Sequence, residues 1–261
     1  MDEARQREAF DLLWTHWQSD RRTDTLPDGL RPATRREGYG IQRWIAERAP
    51  AGIAGWKLAA TSRDGQAHIG VDGPLAGRIP AGRVVSSGAT VSLGNGLMRV
   101  AEAEFVFRLG RDIAPREKPY EVDEVMGAVA ALHLGIELPD SRFEDYARAG
   151  APQLLADAAC ARDFVLGPAA PDAWRSIDLS QHRVSGTVVG KYDRDGIGSN
   201  VLGDPRVALT WLANELIEIG DTLRAGAFVT TGTCLKPMDV EPGDGVVCDF
   251  GALGRVSVRL A

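Results

Sequence analysis

Two glutamates one residue apart, Glu102 and Glu104, lie in the segment Val100-Ala101-Glu102-Ala103-Glu104-Phe105-Val106-Phe107. The segment is short, apolar, rich in Val and Phe, and alternates with period two, so it reads as a β-strand. Residues i and i+2 of a strand share a face. Both carboxylates therefore point one way, roughly 7 Å apart along the strand, while Ala101, Ala103, Phe105 and Phe107 point the other. Like charges so placed repel. Either water solvates them on a half-exposed antiparallel strand, or a cation sits between them.

A second strand carries a third acid. In Leu132-His133-Leu134-Gly135-Ile136-Glu137-Leu138, the leucines and Ile136 share one face, and His133, Gly135 and Glu137 share the other. Gly135 beside the acid leaves room for a ligand to approach the backbone. A single helix links the two strands, so they can be sheet neighbours. Three carboxylates on one sheet face form a facial set for Mg²⁺ or Mn²⁺, with about three positions left for water and substrate. Such a cation can chelate an α-keto acid and stabilise its enolate as a Lewis acid.

Two further residues could do chemistry beside these acids. Lys57 sits in Ala54-Gly55-Trp56-Lys57-Leu58-Ala59-Ala60, a strand with Trp56 and Leu58 on the opposite face. It is either an ordinary exposed lysine or a partly desolvated, reactive one. Asp157 stands in a run of small residues, Leu155-Ala156-Asp157-Ala158-Ala159-Cys160-Ala161. It is either a helix N-cap or a site residue.

The remaining composition excludes other chemistries. The three cysteines, Cys160, Cys234 and Cys248, are too far apart for Cys-x-x-Cys, and His16, His68, His133 and His182 are scattered. Neither a disulfide framework nor a zinc site is expected. A net charge of −6 over 261 residues argues against a nucleic-acid partner. No run reaches the length of a membrane span, and MDEARQREAF lacks the features of a signal peptide, so the expected compartment is the cytoplasm.

The elements that must position these residues follow in chain order. Residues 3–18 read as an amphipathic helix with Phe10, Leu12, Leu13, Trp14 and Trp17 inward, the tryptophans either in the chain's own core or at a subunit contact. A second helix is expected over 32–48. The glycine- and proline-rich stretch 61–83 reads as a site-lining loop. A strand pair or meander is expected over 84–93, a helix over 120–131, and a helix over about 205–220 behind Asp204-Pro205. The chain finishes in β-strands over 226–231, 245–250 and 254–260. This is an α+β chain, with an N-terminal helical region, one strand and a site-lining loop in 1–83 and a mixed-β catalytic core in 84–261.

Taken together, the chain resembles the fumarylacetoacetate hydrolase superfamily, within it the 2-oxopent-4-enoate hydratase and 4-oxalocrotonate decarboxylase branch. The resemblance is carried by Gly55-Trp56-Lys57-Leu58 with Thr61-Ser62, Gly70-Val71-Asp72-Gly73-Pro74, the Glu102/Glu104 strand, Glu137 in Ile136-Glu137-Leu138-Pro139-Asp140-Ser141-Arg142, Ala156-Asp157-Ala158, Val201-Leu202-Gly203-Asp204-Pro205, Thr231-Gly232-Thr233 and Pro242-Gly243-Asp244. It implies a mixed β-roll or β-sandwich core and a metal at Glu102, Glu104 and Glu137. It also implies that Lys57 acts near the reacting carbons with Asp157 positioning water or Lys57, and that Ser62, Gly232 and Thr233 hold the substrate. Glutamate rather than aspartate at 137 favours hydration or decarboxylation over C–C bond hydrolysis. The implied reaction is addition of water to a 2-hydroxy-2,4-dienoate, giving a 4-hydroxy-2-oxo acid in aromatic catabolism. The alternatives are decarboxylation of a 2-oxo-dioate, hydrolysis of an acylpyruvate, or a non-catalytic partner role. The implied partners are a small 2-oxo acid, further copies of the chain, and a paralogous hydratase or decarboxylase subunit.

Overall fold

The computed structural model describes residues 1–261. The helices are α1 (Glu3–Ser19), α2 (Arg35–Gln42), α3 (Ile45–Arg48), α4 (Arg63–His68), α5 (Val122–Met126), α6 (Ala151–Ala156) and α7 (Pro205–Ile219). The strands are β1 (Ile53–Ala59), β2 (Leu75–Pro80), β3 (Val84–Ser86), β4 (Thr90–Val91), β5 (Val100–Leu109), β6 (Val129–Leu138), β7 (Asp163–Ala169), β8 (Arg183–Val188), β9 (Tyr192–Ile197), β10 (Phe228–Thr233), β11 (Met238–Asp239), β12 (Gly245–Asp249) and β13 (Arg255–Leu260).

Two mixed sheets form the body. The larger runs β2-β1-β10-β5-β6-β7-β3, with β11 on β5, and the smaller runs β4-β13-β12-β8-β9. β1 pairs with β10 in parallel, whereas β5 is antiparallel to both β10 and β6. The main core lies between the sheets and under α7. Ala101, Ala103, Phe105 and Phe107, the apolar face of β5, are wholly buried there. Phe105 meets Phe250, from the loop between β12 and β13, edge to face at 5.2 Å. No helix is long and apolar enough to cross a membrane.

The N-terminal helices build a smaller core of their own. Phe10 and Leu13 of α1, Ile41 of α2 and Ile45 of α3 pack with Phe143, Ala156, Ala158 and Ala161. α1 starts at Asp2, whose carboxylate accepts the Arg5 amide at 2.9 Å. Trp14 and Trp17 line the edge of this same cluster. The N-terminal region thus covers the segment that follows α6, next to the site.

Several elements differ from the sequence expectation. The helix expected over 32–48 breaks in two, because at Trp44 the amide bonds back to Ile41 at 3.4 Å instead of continuing the i−4 ladder. The helix expected over 120–131 is only one turn, since Val129 already belongs to β6. The residues of 84–93 enter two different sheets through β3 and β4. The stretch 61–83 is no open loop: it contains α4 and the fully buried strand β2, which pairs along β1. The large sheet therefore runs across the division drawn at residue 83. Gly77 and Pro80 lie inside or at the end of β2, where local composition resembles a loop but burial of Leu75, Ala76 and Ile79 decides.

Candidate metal centre

Antiparallel pairing of β5 and β6 sets Glu102 directly opposite Glu137, and Glu104 opposite Gly135. Direct partners project to the same face. The carboxylate oxygens of Glu102, Glu104 and Glu137 come within 4.8 Å of one another. Glu104 and Glu137 are buried, and Glu102 is half-buried at the open side. This face is not solvated: Val106, two residues on from Glu104, packs with Ile79, Phe164 and Phe228 in a small apolar cluster beside the acids.

Glu104 is fixed from the neighbouring strand. A bulge in β10 between Thr230 and Thr233 breaks the ladder with β5. The Thr230 hydroxyl donates to Glu104 Oε2, and the Gly232 amide donates to the same oxygen at 2.8 Å. Gly232 has φ +97°, and a Cβ there would overlap the Thr61 side chain, so the bulge needs glycine. Glu104 Oε1 and both oxygens of Glu137 are buried without a hydrogen-bond partner. Orphaned buried carboxylate oxygens are rare because each costs desolvation energy. All the donors are hard oxygens with no thiolate or imidazole among them, which suits a hard divalent cation.

Lys57 faces the same cluster. Its Nζ lies 2.9 Å from Glu137 Oε1, an ion pair without hydrogen-bond alignment, and donates to the Ala159 carbonyl at 2.9 Å. In strand order β1, β10, β5, β6 the two residues are three steps apart, about 14 Å in a flat sheet. The sheet must curl around the acids for them to meet. Lys57 is 2% exposed, which excludes the ordinary surface lysine. Burial alone would depress its pKa. The charges of Glu137, Glu102 and Glu104 outweigh burial, and the pKa is raised, so the ammonium stays protonated.

The acids titrate in the opposite sense. Burial, reinforced by the Glu137 charge, lifts Glu102 to about 7 against the pull of Lys57. The same causes, burial foremost, hold Glu104 well above the usual carboxylate range. Three acids facing one ammonium leave negative charge that a divalent cation would neutralise.

The acceptor for Lys57 comes from an unusual turn. Ala158, Ala159 and Cys160 have φ of +51°, +51° and +63°, three successive non-glycine residues in the left-handed region. Each costs about 1 kcal/mol or more, and such strain concentrates at functional sites. The turn packs on β2 at Gly77, which stands opposite Lys57 in the β1–β2 ladder. A Cβ at Gly77 would overlap the Ala158 carbonyl oxygen.

Asp157 anchors this turn. It ends α6 and caps no helix N-terminus through its side chain. Its carboxylate accepts from Ser141 Oγ at 2.8 Å, from the Arg142 amide at 3.0 Å and from Arg142 Nε, and its carbonyl accepts from Arg142 Nη2. Arg142 Nη1 ties down the Ala161 carbonyl at 2.7 Å, and its guanidinium stacks on Trp17 at 4.3 Å. Burial raises the Asp157 pKa despite Arg142. Both Asp157 oxygens are engaged by Ser141 and Arg142, at the start of the turn whose Ala159 carbonyl accepts from Lys57.

The other expected contacts are partly committed elsewhere. The Gly232 amide donates to Glu104. Thr233 Oγ1 donates to the Leu235 carbonyl at 2.7 Å. Ser62, exposed at the start of α4, accepts the Gly65 amide at 3.1 Å and keeps its own proton free. Gly135 does not open space for a ligand, since a Cβ there would overlap the Phe164 ring. Sequence reasoning missed Thr230 and the Ala159 carbonyl. The hydroxyl-rich run Thr230-Thr231-Gly232-Thr233 signalled the first; nothing local signalled the second.

Comparison with known proteins extends over nearly the whole chain. The fumarylacetoacetate hydrolase C-terminal family model matches residues 74–261. 2-Keto-4-pentenoate hydratase 1 of Dechloromonas aromatica is 31% identical over 90% of this chain and 89% of its own. A 4-oxalocrotonate decarboxylase of a Pseudomonas species is 30% identical over 86% of both chains. Among solved structures, 4-oxalocrotonate decarboxylase from Pseudomonas putida G7, complexed with magnesium and adipate, superposes with a TM-score of 0.89 at 26% identity, over 100% of this chain and 99% of that one.

Proposed function

The chain belongs to the fumarylacetoacetate hydrolase family, and we propose that it is a metal-dependent hydratase converting a 2-hydroxy-2,4-dienoate into a 4-hydroxy-2-oxo acid. The observation that carries this reading is the buried cluster of Glu102, Glu104 and Glu137 closed by Lys57, in a chain similar to a hydratase over nine-tenths of its length. Glu102, Glu104 and Glu137 would hold Mg²⁺ or Mn²⁺. A cation there supplies Lewis-acid stabilisation of negative charge on the substrate C2 oxygen.

The chain's own residues do the rest. Glu102, on the open side, is where substrate enters. A proton delivered to C5 of the dienol gives the 3-enoate ketone, water adds at C4, and a second proton goes to C3. Lys57 is protonated, so it acts as proton donor and electrostatic partner rather than base. Its Nζ is held between Glu137 and the Ala159 carbonyl, fixing where that proton can go. Asp157 is a positioning residue that sets the turn bearing this carbonyl. We assign the substrate carboxylate to the free Ser62 hydroxyl, with Thr233 behind it. The apolar cluster of Val106, Phe164 and Phe228 keeps bulk water from the buried side of the acids.

A second reading is decarboxylation of a 2-oxo-dioate. It is supported by the 30% identical decarboxylase and by the TM-score of 0.89 to a decarboxylase structure. The same enolate arises there by loss of CO₂. The deciding experiment supplies purified protein and Mg²⁺ with 2-hydroxypenta-2,4-dienoate and, separately, with 4-oxalocrotonate. Hydration predicts loss of the diene absorbance with formation of 4-hydroxy-2-oxopentanoate. CO₂ release from the dioate with an unchanged diene would replace that reading with the second.

A further inference from the structure

A separate cleft of about 330 Å³ opens on the other side of β1 and β2 from the acids. Its walls include Gln6, Arg36, Tyr39, Arg43, Arg78 and Asp221. Arg78 is the direct partner of Trp56 in the β1–β2 ladder, and Lys57 is the partner of Gly77. Neighbouring residues of a strand project to opposite faces, so the cleft and the carboxylate cluster lie back to back across one ladder.

The charges in this cleft are poorly matched. Arg78 is 7% exposed, stacks on the Trp56 ring at 4.4 Å, and pairs through Nη2 with Asp221 at 2.5 Å. Its Nη1 is buried with no hydrogen-bond partner. Arg43 lies over the Trp44 ring at 4.9 Å and pairs with Glu3 at 3.0 Å, an exposed pair that contributes little. Arg36, exposed on α2, forms no ion pair. Three guanidinium groups from two elements thus converge on a hollow that two carboxylates offset only in part. Guanidinium groups grip oxyanions in pairs and lose little hydration on doing so.

We infer that this cleft is a binding site for a small dianion, a dicarboxylate or inorganic phosphate, held by Arg36 of α2 and Arg43 at its C-terminal end against Arg78 of β2. The cleft volume lies at the lower end of small-ligand sites. Seven of its nine lining residues are not hydrophobic, which favours a polar ligand. A dianion would bridge α2 to β2, the strand that carries Gly77 under the turn beside Lys57.

Isothermal titration and thermal unfolding of the Mg²⁺-supplemented protein test this, with sodium phosphate and succinate as probes against sodium chloride of equal ionic strength. The expected result is saturable binding of at least one dianion, absent with chloride. Its apparent Kd should rise at least tenfold in Arg36→Ala/Arg43→Ala and stay unchanged in Arg183→Ala, an exposed arginine elsewhere. Phosphate-only binding identifies a tetrahedral oxyanion site, and succinate binding a dicarboxylate site; either supports the inference. Arg36→Gln, at an exposed position, serves as the single-site test if the double variant unfolds. Binding that persists unweakened in these variants belongs to the carboxylate cluster and overturns the inference. So does the lack of any saturable binding, or a changed sedimentation coefficient of the double variant without dianion binding to the parent, which would make the cleft a contact between copies.

Discussion

Glu102 and Glu137 are direct partners across the β5–β6 ladder, two acids facing each other where a sheet ordinarily pairs opposite charges or apolar groups. With Glu104 beside them and only Lys57 to oppose them, the arrangement is unfavourable without a cation. Its cost appears in the raised pKa values of Glu102 and Glu104.

That cost predicts a pH dependence of the metal-free protein. An acid whose folded pKa is raised stabilises the fold below its unfolded value and loses that contribution as pH rises through the folded value. For Glu102 the window runs from the ordinary glutamate value of 4.5 to about 7, worth roughly 3 kcal/mol at about 1.4 kcal/mol per decade. Chemical denaturation of metal-free protein should show stability falling between about pH 5 and pH 8. Saturating Mg²⁺ should restore it most at the upper end. A flat profile would mean that the acids are solvated.

Replacing Lys57 separates charge balance from catalysis. Lys57→Met leaves the buried Glu104 and Glu137, with Glu102 beside them, uncompensated and should destabilise the metal-free fold by about 3–5 kcal/mol. With metal bound the stability loss should shrink, while kcat falls by about 10²–10⁴ with little change in KM. Retained kcat in the metal-loaded variant would remove Lys57 from the chemistry.

Gly77→Ala tests the turn. The added Cβ overlaps the Ala158 carbonyl oxygen, and the displaced turn withdraws the Ala159 carbonyl from Lys57. The expected loss is about 1–3 kcal/mol of stability and a lower kcat, with metal affinity nearly intact because no glutamate moves. Ala159→Gly should act oppositely on stability, raising it by about 1 kcal/mol by relieving a left-handed alanine. Thermal unfolding and steady-state kinetics on both variants check this.

Asp157→Asn keeps the shape but strands the buried Arg142 guanidinium. A loss of about 3–5 kcal/mol is expected, measured by denaturant unfolding, with activity falling in step with the Lys57 environment. An Asp157→Asn protein of parental stability but no activity would restore a direct role for the carboxylate at the substrate.

The sequence carried the site further than the fold around it. Period-two alternation was enough to put Glu102 and Glu104 on one face of their strand and Glu137 on the non-core face of the next, and the single helix between the strands allowed them to be neighbours. Lys57 could not be assigned from pattern alone, because its burial depends on a sheet curled through three strand steps. The turn at 158–160 was illegible: alanine gives no sign of a left-handed backbone, and the conformation is imposed by Gly77, Arg142 and the N-terminal helices. β2 was misread for a related reason. Its glycine and proline serve close packing, which local composition does not distinguish from a loop.

The proposed function depends on Glu102, Glu104 and Glu137 holding a divalent cation. Calorimetric titration of Mn²⁺ into metal-free protein, parent against Glu104→Gln, tests it most directly, with circular dichroism to establish that the variant is folded. One Mn²⁺ per chain is expected in the parent, and in the folded variant an affinity at least a hundredfold weaker with matching loss of turnover. A folded Glu104→Gln protein that binds Mn²⁺ and turns over like the parent would contradict it.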